Sequence, residues 1–363
     1  MAWTYLSLNG KKKTFAFVLS ILSLLVLSSF SISPAMALTP TTFTTGMVLA
    51  GTGGYLVSGT GTITQINPTT GAIVGQLQTS VGNSEDTGMC FESDGTLLTT
   101  NWPASSYGMS HFATDGSLLQ ATWNKSPISS HGESCVRNAA GNILVGQTDG
   151  ALISEWAPDG TFIKSWTPTT YDRGIDWLDL ASNQCTVLYA GEGNRISSYD
   201  ICTSTQNPDF ATGMSGPCYA TRIRPNGEVM TACGSGNVYR FDSSGTLLKS
   251  CPINTPTGSP DSLFAMNLDP DGVSFWTAGY SSGLIYHVDI ATCSIIKTIG
   301  PIPFSPSIAG LAVVGELTVG CEPHCGGTSV PEFSAPAAMA SALGLLAVAV
   351  LVRKRSSIIG PLK

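Results

Sequence analysis

Charge is scarce in this chain: 11% of its 363 residues are Asp, Glu, Lys or Arg, and histidine occurs four times. Lys and Arg (17) fall short of Asp and Glu (24), so the chain lacks the basic field that draws proteins to nucleic acid. No Cys-x-x-Cys pair occurs, which removes the ligand spacing of a zinc ribbon. Gly-x-Ser-x-Gly, His-Glu-x-x-His, a phosphate loop and a dinucleotide fingerprint are missing as well. The glycine-rich run 51–54 precedes neither Lys-Ser/Thr nor a helix signal, so it makes no phosphate cradle. Long apolar runs are confined to the two ends.

At the start, Lys11, Lys12 and Lys13 precede an apolar and hydroxylated stretch over 14–31, and Ala35-Met36-Ala37 offers a small-x-small cleavage pattern. This order predicts a signal peptide over 1–37. An uncleaved anchor is the alternative, because the apolar run approaches the roughly 20 residues that span a bilayer. At the other end, residues 335–352 are uncharged and mostly apolar, with Arg353-Lys354-Arg355 directly after them. That predicts a transmembrane helix over 334–352 and a basic cytoplasmic tail over 353–363. The chain is expected to be exported and held at the cell surface, with the membrane as one partner.

Val330-Pro331-Glu332-Phe333, then the apolar segment, then the basic cluster, resembles the PEF-CTERM sorting signal of archaeal surface proteins. The resemblance implies an archaeal source, a sorting enzyme that cuts near Pro331, Glu332 and Phe333, and transfer of the protein to a lipid. Residues 356–363 extend past the point where such signals usually stop. A short stalk and the motif then occupy 321–333.

Between the ends lie roughly 285 residues, enough for one large domain or two small ones. Abundant Gly, Ser and Thr suit a β-rich extracellular domain. One turn type recurs at Gly95, Gly141, Asn183, Gly227, Gly272 and Gly315, in steps of 46, 42, 44, 45 and 43 residues. A second falls between them, as in Asp115-Gly116, Asp159-Gly160 and Ser244-Gly245. Such pairs supply the positive φ that tight hairpins need. Short apolar segments join the turns, and in five repeats one of them carries an aromatic: Phe112, Trp156, Tyr199, Phe241 and Tyr286. Four short strands at this period, with no helix signal, predict an all-β, six-bladed propeller over 38–320. Residues 308–314 are expected to complete the first blade and close the ring. Met47-Val48-Leu49-Ala50 competes for that place as an inner strand of its own.

The repeats resemble NHL and streptogramin-lyase-like six-bladed propellers, most clearly in residues 263–278 and 222–227. That resemblance covers about residues 47–318 and implies the fold; the architecture hosts lyases, lactonases, adhesins and interaction modules alike.

In a propeller, the segment entering each inner strand lines one mouth of the central channel. The candidates there are Asp86 (with Glu85), His131, Glu133, Asp176, Arg222 (with Tyr219) and Asp261. Their carboxylates could hold Ca²⁺ or Mg²⁺, which prefer oxygen ligands, with His131 as a general base for lactone opening or elimination. Solvated loop charges around a water-filled channel are the plainer reading, since the residue types differ from blade to blade.

Ten cysteines in an exported chain point to disulfides. They read as staples within blades: Cys185 with Cys202, Cys218 with Cys233, Cys251 with Cys293, and Cys321 with Cys325 in the stalk. Cys90 and Cys135 occupy matching places on neighbouring inner strands. Asn124-Lys125-Ser126 is a glycosylation sequon, making Asn124 the candidate acceptor. No dedicated cofactor is expected. The leading functional reading is a surface-anchored module that binds an extracellular protein or glycan. A divalent-metal-dependent lyase or lactonase and a surface-layer component are the alternatives.

Overall fold

Turn chemistry sets the frame. In the computed structural model, which describes residues 38–53, 61–81, 84–102, 108–303 and 307–320, the recurring glycines hold positive φ, for example 91° at Gly141 and 85° at Gly227. In the fourth blade Gln184 takes that place at φ 62°. Asp side chains brace the second turn type, as where Asp159 Oδ1 accepts the Thr161 N–H at 3.0 Å. Leu38 and Thr39 fall outside the compact unit that begins at Pro40 and have no regular structure.

Six antiparallel sheets result. The first contains β1 (Val48–Thr52), β2 (Thr62–Ile66) and β3 (Ile73–Gln78). The second runs β4 (Glu85–Phe91), β5 (Leu97–Trp102), β6 (Gly108–Phe112) and β7 (Leu118–Gln120). The third is β8 (His131–Arg137), β9 (Ile143–Thr148), β10 (Leu152–Trp156) and β11 (Phe162–Trp166). The fourth holds β12 (Trp177–Leu180), β13 (Thr186–Ala190), β14 (Arg195–Asp200) and the short β15 (Thr205–Gln206), with β16 (Ala211–Thr212) also on β14. The fifth is β17 (Cys218–Ile223), β18 (Val229–Cys233), β19 (Asn237–Phe241) and β20 (Leu247–Pro252). The sixth is β21 (Leu263–Leu268), β22 (Ser274–Gly279), β23 (Ile285–Asp289) and β24 (Ile295–Ile299). Finally β25 (Ile308–Val313) joins the first sheet beside β1.

The expected closure is therefore present: β25 is the innermost strand of the first blade, pairing Val313 with Val48. Met47-Val48-Leu49-Ala50 does not supply an inner strand; β1 lies second in the sheet, between β25 and β2. Its five buried residues need a sheet neighbour on each side, and β25 provides the inner one.

Burial falls from the axis outward. β9 and β22 are buried at every position, whereas β11 and β20, at the rim, are mostly exposed. Apolar side chains between adjacent blades form the core, with Trp156, Trp177, Trp276 and Tyr286 among the largest fully buried. Polar side chains tie the inner strands together. Thr87 Oγ1 donates to the Gly132 carbonyl at 3.3 Å, Ser134 Oγ accepts the Leu178 N–H at 3.2 Å, and Asp179 Oδ2 accepts the Ile223 N–H at 2.8 Å.

All four cysteine pairs expected within the described residues are bonded. Two lie within a blade, Cys185–Cys202 and Cys218–Cys233. Cys90–Cys135 joins β4 to β8, the neighbouring inner strands on which the two cysteines were expected, whereas Cys251–Cys293 joins β20 to the turn after β23 and so corrects its reading as a staple within one blade. The radial arrangement brings residues of neighbouring sheets as close as hairpin partners, with Cα–Cα separations of 5.7 and 5.2 Å.

The expected signal segment, the Cys321/Cys325 loop, the Pro331-Glu332-Phe333 motif and the apolar span 334–352 lie outside the described residues. Among the described residues, no helix is long and apolar enough to cross a membrane.

Candidate binding site at the channel mouth

All six inner strands run the same way, so the channel has an entry mouth, where they begin, and an exit mouth, where they end. A repeated irregularity marks the entry. In β8 the register skips Glu133, between Gly132↔Gln147 and Ser134↔Gly146. The same skip passes over Tyr219 in β17, Phe264 in β21 and Ala309 in β25. In β4, Thr87 and Gly88 together oppose one residue. Asp176 holds the matching place just before Trp177, its N–H on the Ala190 carbonyl at 3.0 Å. A bulge of this kind re-aims one side chain per strand. The result is a ring of six equivalent positions: Thr87, Glu133, Asp176, Tyr219, Phe264 and Ala309.

The ring has three chemically different sectors. Glu133 and Asp176 are adjacent acids, 3% and 1% exposed. Both Asp176 carboxylate oxygens and Glu133 Oε2 are buried with no hydrogen-bond partner. The nearby Glu192 N–H donates instead to the Cys218 carbonyl at 3.1 Å. Tyr219 and Phe264 are adjacent aromatics, their rings 4.7 Å apart, and Phe264 continues to Tyr280 at 5.3 Å. Tyr280 Oη in turn donates to Glu85 Oε1 at 2.7 Å. Ala309 and Thr87 complete the circle with small side chains.

Burial first, and then the charges of Asp176 and Glu85, push the Glu133 carboxyl well above the usual range. Burial and then Glu192 do the same to Asp176, and Arg173 opposes both shifts. Tyr219 is pushed up to about 12 by burial and by Glu192 and Asp176. Unpaired buried carboxylates are costly, so the sector is primed to receive positive charge.

The remaining candidates scatter. Asp86 lies in the seam between the first two blades, 3.5 Å from Thr52 Oγ1, where a Cβ on Gly51 would run into the Asp86 carbonyl. Asp261 is engaged by Ser282 Oγ and Tyr286 Oη, each at 2.6 Å. His131 sits on the entry rim, its Nδ1 2.8 Å from Asp149 and its ring 4.8 Å from Trp102. Arg222 is at the opposite mouth, which corrects its grouping with Tyr219. It lies near the end of β17, Nε 2.8 Å from Glu316 Oε1, and lines an exit-mouth cavity of about 230 Å³ with Met89, Arg137 and Glu316. Asn124 is 7% exposed; its Oδ1 accepts the Met109 N–H and its Nδ2 donates to the Ser126 carbonyl, both at 2.8 Å. The amide a glycan would occupy is thus engaged.

Among the described residues, His, Cys, Asp and Glu atoms gather in threes within 4.8 Å at two places, neither in the ring. Cys185, Asp200 and Cys202 include a disulfide. Asp269, Asp271 and His287 form a turn lock in which Trp276 Nε1 holds Asp269 at 2.7 Å and Ser274 Oγ holds Asp271 at 2.7 Å.

Sequence reasoning missed Phe264, Tyr280 and the ring itself. A signal was present: in five blades the ring residue stands eight positions before the left-handed turn residue, at Gly95, Gly141, Gln184, Gly227 and Gly272.

No family model and no curated protein matches the chain. Solved structures do. A chain of the Nidogen/Laminin complex superposes with a TM-score of 0.58 at 12% identity, covering 75% of this chain and 98% of that one. A protein of unknown function from Bacteroides caccae superposes with a TM-score of 0.58 at 16% identity, covering 75% and 99%. At these identities the likeness establishes the fold alone, a six-bladed β-propeller.

Proposed function

We propose that the protein is an exported β-propeller, tethered to the cell exterior, that binds an extracellular protein or glycan at its entry mouth. The observation that carries this reading is the buried, unpartnered Glu133–Asp176 pair beside Tyr219 and Phe264. Native interiors satisfy nearly all buried polar groups, so a pair left open at a channel mouth awaits a partner. Four disulfides favour an oxidising compartment. The likeness of residues 330–355 to a sorting signal supplies the tether. A chain of the Nidogen/Laminin complex is an instance of this architecture in an assembly of proteins.

Binding to intact cells of the source organism tests the recognition step. The double substitution Glu133→Gln/Asp176→Asn should weaken it at least tenfold, and Lys125→Ala on the outer rim should not. Equal binding by both variants rejects the entry mouth. Tethering is tested by intact mass: wild type should be shortened and lipid-bearing, and Glu332→Ala unprocessed and heavier. A wild type that retains Lys363 leaves a plain membrane anchor.

The His131–Asp149 pair favours a second reading, since a carboxylate on Nδ1 orients an imidazole for proton transfer. An extracellular lyase or lactonase would lose turnover at least a hundredfold on His131→Ala, measured on a lactone panel with Mg²⁺ or Ca²⁺ present.

A further inference from the structure

We propose that the entry mouth takes an organic cation on an apolar stem, an alkylammonium or guanidinium, whose charge meets Glu133 and Asp176 while its stem lies along Tyr219 and Phe264. This rests on the entry mouth being the recognition site and names the chemistry it recognises.

Three observations converge. First, among the described residues neither acid is in an ion pair, and the charge of Arg173 reaches both only from a distance. Arg173 makes its own contacts on the rim: its Nη1 is 2.9 Å from Glu192, its Nε is 3.7 Å from Asp149, and its guanidinium lies 5.1 Å from the Trp102 ring centre. Glu85, Glu192 and Asp149 add negative charge on the same side. A cation entering here gains the attraction of two carboxylates in a low-dielectric site.

Second, the site is built for a diffuse cation and not a compact one. Ca²⁺ takes six to eight oxygen ligands and Mg²⁺ a near-ideal octahedron. Among the described residues, neither Glu133 nor Asp176 belongs to a group of three His, Cys, Asp or Glu ligand atoms lying within 4.8 Å of one another. What continues the ring beyond Asp176 is aromatic carbon, Tyr219 and then Phe264. Aromatic faces attract ammonium and guanidinium groups and pack against their methylenes. Third, the two remaining ring positions, Ala309 and Thr87, carry small side chains with no charge to compete for the ligand.

A free amine and a Lys or Arg side chain of a partner share this chemistry, and calorimetric titration with separate probes distinguishes them. The probes are agmatine, Nα-acetyl-lysine methylamide, the neutral alcohol n-pentanol as an uncharged stem, and CaCl₂. Both organic cations should bind with one site per chain, and n-pentanol should not. Binding of agmatine alone assigns the site to free amines; binding of the lysine amide with comparable strength assigns it to a side chain. Glu133→Gln/Asp176→Asn, which keeps side-chain volume, should weaken binding at least tenfold. Phe264→Leu, which keeps packing but removes the ring, should weaken it several-fold. Lys125→Ala should leave it unchanged.

Ca²⁺ binding that neither organic cation displaces overturns the proposal, as does organic-cation binding undiminished in the double variant. If neither amine binds while the double variant still loses cell binding, the ligand chemistry falls and the recognition site stands. If the double variant changes neither measurement, both fall.

Discussion

Glu316 and Arg222, 94 positions apart, meet at 2.8 Å at the exit mouth. The same carboxylate accepts Asn267 Nδ2 at 2.6 Å and the Leu268 N–H at 2.9 Å. A residue just past the closing strand therefore ties the fifth and sixth blades to the first. Both partners are nearly buried, with side chains 4% and 10% exposed. Removing one member of a buried pair strands the other's charge. Glu316→Ala should cost roughly 3–5 kcal/mol of stability, read from the denaturant midpoint. A loss below about 1 kcal/mol would mean that water already satisfies Arg222.

Asp179 gives a pH prediction with a definite sign. Burial raises its carboxyl from 3.8 to about 6, with Arg222 opposing. Its folded value lies above its unfolded one, so its full contribution is present below about pH 4 and is lost as pH rises through 6. The size is roughly 3 kcal/mol, at about 1.4 kcal/mol per pH unit. Urea unfolding at pH 4 and pH 7 should differ less in Asp179→Asn than in wild type by about that amount. Equal pH slopes would refute the assignment.

The disulfides rank by the length of chain they close. In the chain-entropy model, the 45-residue span of Cys90–Cys135 stabilises by about 4 kcal/mol, and the 17-residue span of Cys185–Cys202 by about 3 kcal/mol. Paired Cys→Ser variants should fall in that order in thermal unfolding. A peptide map of unreduced protein should recover all four pairs, and alkylation of the native protein should label none of these eight cysteines.

Ending the chain at residue 307 removes β25 and opens the ring. The first blade then lacks its inner strand, and Val48 to Thr52 present an unpaired edge at the channel. Unfolding of the truncated domain should lose cooperativity. A truncation that unfolds as sharply as the intact domain would mean that closure contributes little.

The blade count was legible because turn residues recur with the period of the sheets, and φ > 0 admits few residue types. Ring closure was legible because residues 308–314 read as one strand without its hairpin partners. Glu133 and Asp176 stood out as charges where inner strands begin. The bulge was not legible, because one extra residue leaves the composition of a strand unchanged; only the constant eight-residue offset from the left-handed turn residue, found in five blades, reveals the ring positions. Arg222 was misplaced for a related reason. It stands three positions after Tyr219, and at about 3.3 Å per strand residue that carries it most of the way to the other mouth. The inter-blade place of Cys251–Cys293 escaped because the two residues, radial neighbours in the ring, stand 42 positions apart along the chain.

Both described ends of the propeller leave from one side of the closing blade. The Gly46 N–H reaches the Val314 carbonyl at 2.8 Å, and the Val314 N–H reaches Met47 at 2.9 Å. The exit face therefore holds both ends, and the ring of Glu133, Asp176, Tyr219 and Phe264 opens the other way. This geometry sets how the domain bears force. Pulling the two ends apart peels β25 from β1 one hydrogen bond after another, beginning at Val313↔Val48. A load between the C-terminal end and the entry mouth runs along the strands, across bonds that lie perpendicular to it and resist together. A propeller tethered beyond β25 and pulled by what it grips is thus loaded in its strong direction.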